Sequence, residues 1–329
     1  MGGGAVKKRQ LIMGVCAIAG MFFLILDRET AVKSMEEGLK LCFHTVIPGL
    51  FPFFYLTTVL NQALYGCKSR FLKPVLTFMG IPQEAGALLI PAFLGGYPMG
   101  AKAISDSCHS NAMSRAQAVR LLTFCSNAGP AFFFGILPVI FEENWMIWSL
   151  WAIHILSAFL ISLCIPAVGG KSGVSEKVPS FDVMESSVRA SALVCGWILC
   201  FRVLSGGLSH WILWRLPDWG QALTMGLLEL TNGCSALSAV PSWQIRYILA
   251  SGLMGFGGLC VTMQTASILG DLPIRSYLTG KITQSILSVL FALSVTTGTW
   301  PLAAGLTLLT VVTLISLQKR SGKRQEVIV

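Results

Sequence analysis

The chain has 329 residues, of which 54% are hydrophobic and only 12% charged, and its mean hydropathy is +0.70. Soluble domains carry about 25% charged residues, so a water-facing globular domain, low-complexity disorder, a collagen-like repeat and a small disulfide scaffold are excluded. Twenty-four Lys and Arg against fifteen Asp and Glu give a net charge of +9, but the basic residues cluster between long apolar runs, which is the pattern of membrane topology charges and not of a nucleic-acid surface.

The composition predicts an all-α polytopic membrane protein, a single membrane domain over residues 1–329. The ten cysteines form no C-x-x-C pair and fall mostly inside apolar runs, so they read as small buried hydrophobes, not as bridges or metal ligands.

A helix needs about 20 mostly apolar residues to cross a bilayer. The first candidate, 11–26, follows Lys7, Lys8 and Arg9 and ends before Asp27 without a small-residue cleavage site. It is expected to be a retained, peripheral N-terminal helix after a disordered start at Gly2–Gly4. Seven further spans are expected at 37–64, 115–140, 145–168, 184–213, 243–269, 274–295 and 300–317, eight in all.

Two apolar segments remain, 83–107 and 219–240. The first is interrupted by Gly95-Gly96-Tyr97-Pro98 and the second by Thr231-Asn232-Gly233. As a helix, 84–94 reaches roughly 16 Å, about half of the ~30 Å hydrocarbon core. Each segment therefore spans with a kink or enters halfway and returns. Basic residues decide between these. With both segments re-entrant and the N-terminus cytoplasmic, eighteen Lys and Arg fall inside, among them Lys102, Arg115, Arg120 and Lys281. Five fall outside (Arg28, Lys33, Lys40, Arg215, Arg246), and Arg202 lies mid-membrane. Re-entrance is the expectation, with both termini cytoplasmic.

The order of elements then repeats. Long helix, hairpin, glycine-broken helix and helix fill 37–168 (repeat one) and again 184–295 (repeat two), leaving 300–317 as a C-terminal helix. Val119-Arg120-Leu121-Leu122 before Ser126-Asn127-Ala128-Gly129-Pro130 answers Ile245-Arg246-Tyr247-Ile248 before Gly252-Leu253-Met254-Gly255-Phe256, at a constant offset of 126. Three spans and a hairpin per unit place the second unit upside-down. Inverted repeats with broken helices are the architecture of many secondary transporters, because backbone groups freed inside a bilayer persist only where they line a cavity or bind something.

Gly96-Tyr97-Pro98-Met99-Gly100-Ala101-Lys102, followed by Arg120-Leu121-Leu122-x-Phe124-x-Ser126-Asn127-Ala128-Gly129-Pro130, resembles the YlbJ-like sporulation integral membrane proteins. These belong to the wider nucleoside-recognition, or Gate-domain, superfamily, whose relatives include concentrative nucleoside transporters. Glu229-Leu230-Thr231-Asn232-Gly233 also looks like that family's pattern, and the resemblance covers roughly 36–300. It implies scaffold helices around two hairpins and two unwound helices, with a solute near mid-membrane, and a role in spore formation. It does not imply that the solute is a nucleoside.

Glu229, before the second hairpin's expected tip, is a functional candidate because a buried carboxylate is costly; its other reading is a brace for the turn. Arg202 is either its charge partner or an anchor for an anionic solute. Ser126 and Asn127 offer oxygens to Na+ or a solute at the first break, or Asn127 caps the half-helix from Pro130. Tyr97, Thr231 and Asn232 at the hairpin tips and Gln264 in the second broken helix are the remaining substrate-binding candidates, with tip packing as the alternative. Gly95, Gly96, Pro98, Gly100, Gly129, Pro130, Gly233, Gly252 and Gly255 are expected to permit turns and close helix approach. Lys102 is expected to reach lipid or loops, and His44 and His154 to serve as structural hydrogen-bonding groups.

No H-E-x-x-H, P-loop or G-x-S-x-G pattern is present, so no enzyme, cofactor or metal is expected. The expectation is a permease-like carrier of a bacterial cytoplasmic membrane for a small polar solute, nucleoside-like or otherwise, coupled to Na+ or H+. Its partners are the lipid bilayer, the solute, and a second copy or other sporulation membrane proteins, with no nucleic acid. The competing reading is a non-transporting scaffold of spore-envelope assembly, suggested by the apolar Gly252-Leu253 opposite Ser126-Asn127.

Overall fold

The computed structural model describes residues 3–63, 70–81, 83–111, 113–168 and 182–299, and these are helical throughout, with no strand among them. In chain order α1 (Gly3–Leu26) leads into α2 (Arg28–Leu41), and a π-turn at Cys42–Val46 passes without a break into α3 (Ile47–Ala63). Then come α4 (Lys73–Phe78), a 3-10 turn (Gln83–Leu88), α5 (Leu89–Phe93), α6 (Met99–His109), α7 (Arg115–Leu121), α8 (Pro130–Ile136) and α9 (Asn144–Cys164). The second part has α10 (Val183–Trp211), α11 (Asp218–Leu228), α12 (Leu230–Leu237), α13 (Trp243–Phe256), α14 (Gly258–Ile268) and α15 (Ile274–Thr297).

Among the described residues, five stretches are long and apolar enough to cross a membrane: Arg28–Leu60, Asn144–Cys164, Val183–Trp211, Trp243–Ile268 and Ile274–Thr297. They carry exposed Leu56, Trp148, Val188, Leu204 and Ile286 on their outer faces, the side chains that a lipid-facing surface presents. The first begins nine residues before the expected 37. Asp27 caps α2 by accepting from the Thr30 amide at 3.4 Å and also accepts from Trp211 Nε1 at 2.7 Å. Hydrogen bonds from Thr30 and Trp211 hold the Asp27 carboxyl below its ordinary range. The expected span 115–140 is not continuous: α7 and α8 are separated by an unwound stretch, 122–129. Gly3 and Gly4, expected to be disordered, belong to α1. The expected C-terminal helix 300–317 and residues 64–69 and 169–181 lie outside the described residues.

Small residues let the helices approach closely. Along α2 and α10, which run antiparallel, Ser34 abuts Gly206 and Gly38 abuts Leu199 and Arg202. Along α13 and α15, Gly252 meets Val289 and Gly255 meets the Ser285 backbone, while Ser251 Oγ donates to the Ser288 carbonyl (2.9 Å) and Ser285 Oγ to the Gly252 carbonyl (2.8 Å).

The two short segments both fold back on themselves. In the first, α5 turns through Leu94–Pro98 into α6. Its outer ends share one end of the bundle: the Met79 and Gly80 carbonyls bind Arg120 together with Ser162, Ile165 and Pro166, and His109 lies against Gly270. In the second, α11 and α12 are antiparallel and touch backbone to backbone at Gly226 and Gly233. At roughly 16 Å and 12 Å neither arm can cross a ~30 Å core. This hairpin starts below Trp211 and ends before Trp243, which stacks edge-on against Trp145 at the opposite end of the bundle.

Candidate functional site

Four chain breaks meet at one place. The first is the Leu94–Pro98 turn, the second the unwound stretch 122–129, the third the bend at Glu229, and the fourth Gly257, between α13 and α14, with Gly258 at the start of α14. Each is recognisable from its residues. Pro130 opens α8 after Gly129, since proline suits the first helical position and cannot continue an earlier one. Gly257 and Gly258 both have φ +84°, a conformation that side-chain-bearing residues rarely adopt.

Contacts between the breaks are close. A Cβ on Gly96 would lie 3.2 Å from the Gly129 nitrogen; one on Gly257 would lie 3.2 Å from the Tyr97 ring; one on Gly258 would lie 3.0 Å from the Gly226 carbonyl oxygen and 3.3 Å from the Leu230 nitrogen. These glycines serve turns and close approach. Gly257→Ala should cost about 1–2 kcal/mol from backbone conformation alone, read as a lower thermal unfolding midpoint of the purified protein. An unchanged midpoint would argue against the left-handed break.

Between the breaks lies a cavity of about 300 Å³, at the lower end of the range for small-molecule sites. The hairpin turn supplies Tyr97, the second hairpin Glu229 and Thr231, α14 Gln264, and the π-turn Thr45; α3, α8 and α10 close it with Phe53, Gly135, Ile136, Val194 and Ile198. Tyr97, Glu229, Thr231 and Gln264 are therefore brought together, as the sequence suggested. The walls are mainly aliphatic and aromatic, less polar than expected. Thr45 was missed; a π-turn leaves no mark in hydropathy.

Glu229 is where the expected position of the bend needs correction. The helix breaks at Glu229 itself (φ −141°, ψ 117°), and Thr231, Asn232 and Gly233 lie in α12. Glu229 Oε1 accepts from the Thr231 amide (3.0 Å) and Oε2 from the Asn232 amide (2.8 Å). A carboxylate at a helix N-terminus satisfies orphan amides and faces the positive end of the dipole. Its bracing role is thus realised, two residues earlier in the chain than expected. Arg202 forms no ion pair with it: Arg202 lies against Gly38 of α2, and its Nε is buried without a hydrogen-bond partner. Lys102, expected near lipid or loops, is buried and paired with Asp106 at 2.6 Å.

Ser126, Asn127 and Asn232 are buried but are not on the cavity wall. Ser126 Oγ has no hydrogen-bond partner among the described residues. Asn127 does not cap α8, whose N-cap Gly129 has no side-chain bond. It satisfies the unwound stretch instead, Nδ2 donating to the Phe124 carbonyl (2.9 Å) and to the Ala92 carbonyl of the hairpin (3.2 Å). His154 accepts from the Ala128 amide at Nε2 (3.1 Å). Two side chains thereby pair backbone groups that a bilayer would otherwise leave costly.

Behind Tyr97 lies a feature that the charge pattern placed wrongly. Lys281, assigned to the cytoplasmic face, is fully buried in α15, about 10 Å into the helix. Its Nζ donates to Tyr97 Oη (3.1 Å) and to Gln284 Oε1, and lies 4.9 Å from the Tyr97 ring centroid. Gln284 Nε2 donates to Asn127 Oδ1 and to the His154 carbonyl, both at 3.0 Å, and Tyr97 Oη donates to the Met254 carbonyl at 3.0 Å. One network thus ties together the hairpin turn, the unwound stretch, α9, α13 and α15. The available signal was a Lys-x-x-Gln pair seven residues inside an apolar span.

With this geometry in view, comparison with known proteins adds a relative. The sporulation integral membrane protein YlbJ of Bacillus subtilis (strain 168) is 25% identical to this chain over 335 residues, covering 83% of the chain and 80% of that protein. The chain is YlbJ-like. The likeness suggested by the glycine-rich motif pair therefore holds, and it agrees with an all-helical membrane protein. No family model and no solved structure matches the chain.

Proposed function

We propose that the chain is a carrier of a small solute, held in the cavity between the four breaks and released by alternating access. The observation that carries this reading is the convergence of two hairpins and two interrupted helices on one cavity lined by Tyr97 and Glu229. In this reading the protein has eight spans, two re-entrant hairpins entering from opposite faces, an inverted repeat of the Gate-domain kind, and cytoplasmic termini. The repeated element order and the hairpin ends lying at opposite ends of the bundle support it. The name of the Bacillus subtilis relative supports a role in spore formation.

The mainly apolar walls with one carboxylate favour a solute with an apolar body and one polar, hydrogen-bond-donating or cationic end, such as an amine, over a nucleoside, whose ribose carries several hydroxyls. Full-length protein in detergent should be screened by thermal shift against uridine, adenosine, amino acids, amines and dicarboxylates. At least one is expected to stabilise it, with affinity about tenfold weaker (roughly 1.4 kcal/mol) in Glu229→Gln, which keeps an oxygen to cap α12. Stabilisation unaltered in Glu229→Gln would place the solute elsewhere. If nothing binds, and Glu229→Gln and Asn127→Ala both restore spore formation to a deficient strain, the scaffold reading replaces the carrier.

A further inference from the structure

We infer that Lys281 is a proton-binding site built into the carrier, whose charge state sets the position of Tyr97 and so couples the cavity to H+ and not to Na+. The inference rests on the carrier reading of the same site and names its coupling ion.

The acceptors around Lys281 are fixed by their other bonds. Gln284 commits its amide nitrogen to Asn127 and His154, so its oxygen must face Lys281. Tyr97 commits its proton to the Met254 carbonyl, which leaves its oxygen as the acceptor. An amine has two N–H groups and an ammonium three; both forms fill these two acceptors, so the network survives gain or loss of the proton. The third N–H and the charge differ between the forms, and the charge is felt by the Tyr97 ring.

Nothing else nearby fixes the charge. The titratable groups facing Lys281 are Tyr97 from the hairpin turn, Cys125 from the unwound stretch and His154 from α9, with Tyr277 one turn earlier on its own helix. His154, accepting at Nε2, is uncharged. No carboxylate pairs with Lys281 among the described residues. A buried ammonium with only neutral partners is poorly compensated for its lost hydration, so its charge responds to small rearrangements of those partners. Tyr97 is such a partner, and it also forms cavity wall and touches Gly257 of the second broken helix. Asn127 Oδ1, one of the oxygens that the unwound stretch could offer to Na+, already accepts from Gln284.

The test needs no solute. In 15N-lysine-labelled full-length protein in lipid, one NMR signal, identified by its loss in Lys281→Met, should pass reversibly between ammonium and amine while the exposed lysines keep their ammonium shift. A cysteine at Gly135, a cavity-lining position with open space for a side chain, should react with a methanethiosulfonate reagent severalfold faster on one side of that transition. The pH dependence should vanish in Lys281→Met and Lys281→Gln and be unchanged when N-methylglucamine replaces Na+. A Lys281 signal that never changes form overturns the inference, as does labelling that is independent of pH, keeps its pH dependence in both variants, or requires Na+. The NMR measurement on the unsubstituted chain stands even if both variants fail to fold. If the solute panel binds nothing, the carrier reading falls and the coupling role with it; if a solute binds and Lys281 fails to titrate, only the coupling role falls.

Discussion

Gly280→Ala is expected to destabilise the protein by about 3 kcal/mol or more, seen as a large drop in thermal unfolding midpoint and in monodisperse protein recovered from membranes. A Cβ at Gly280 would sit 1.9 Å from the Thr123 carbonyl oxygen and 2.5 Å from its carbon. These are backbone atoms of the stretch that joins α7 to the unwound segment, so no rotamer change relieves the clash. Overpacking of a well-filled core costs typically 1–3 kcal/mol and sometimes more, and here a whole helix must move off its neighbour. The same stretch is clamped from its other side, where a Cβ on Gly100 would lie 1.9 Å from the Cys125 carbonyl oxygen. Gly196→Ala on α10, with nothing within 4 Å of its Cβ position, is the control and should melt like the parent. If Gly280→Ala did so too, α15 would not rest on the unwound stretch, and the placement of Lys281 beside it would be wrong.

Arg120→Ala should be comparably damaging, by about 3–5 kcal/mol. The guanidinium, buried in the last turn of α7, donates to the carbonyls of Met79, Gly80, Ser162, Ile165 and Pro166 at 2.9–3.2 Å. It closes the C-terminal ends of α4 and α9, where a cation is favoured by the helix dipoles and the last carbonyls lack partners. Each buried carbonyl left unpaired costs about 1–3 kcal/mol. Arg120→Lys should recover only part of the loss, because an ammonium has three donors and cannot span five acceptors in a plane. Thermal melts of both variants in the same detergent measure this; an Arg120→Lys protein as stable as the parent would mean that a point charge suffices and that the fork geometry is not what binds the two helix ends.

Some of this is legible in the amino-acid sequence alone. The turn at Gly95-Gly96-Tyr97-Pro98 and the interruption before Pro130 were visible because glycine and proline act on their own backbone. That such breaks should meet around one cavity is what the repeated element order and the family resemblance suggest. Glu229 was recognised as an unusual carboxylate, but the bend was placed at Thr231-Asn232-Gly233, because those residue types favour turns in water. In the fold the carboxylate bends the chain at its own position by drawing two following amides onto its oxygens.

Lys281 shows the opposite case. By hydropathy it sits near a span end, indistinguishable from a lysine that reaches the interface. What buries it are acceptors from residues 97 and 284, the second held in orientation by residues 127 and 154. Arg120 was likewise counted as a surface charge although five carbonyls from two distant helix ends enclose it. Composition and local apolar length are enough to determine that the chain belongs in a membrane as a set of helices, and glycine and proline mark several of their interruptions, since these depend on a residue's own backbone and on transfer from water to lipid. Which charges lie inside, and which polar groups face the cavity, only the tertiary structure decided, because the cost of burying an ion depends on partners that distant segments bring to it.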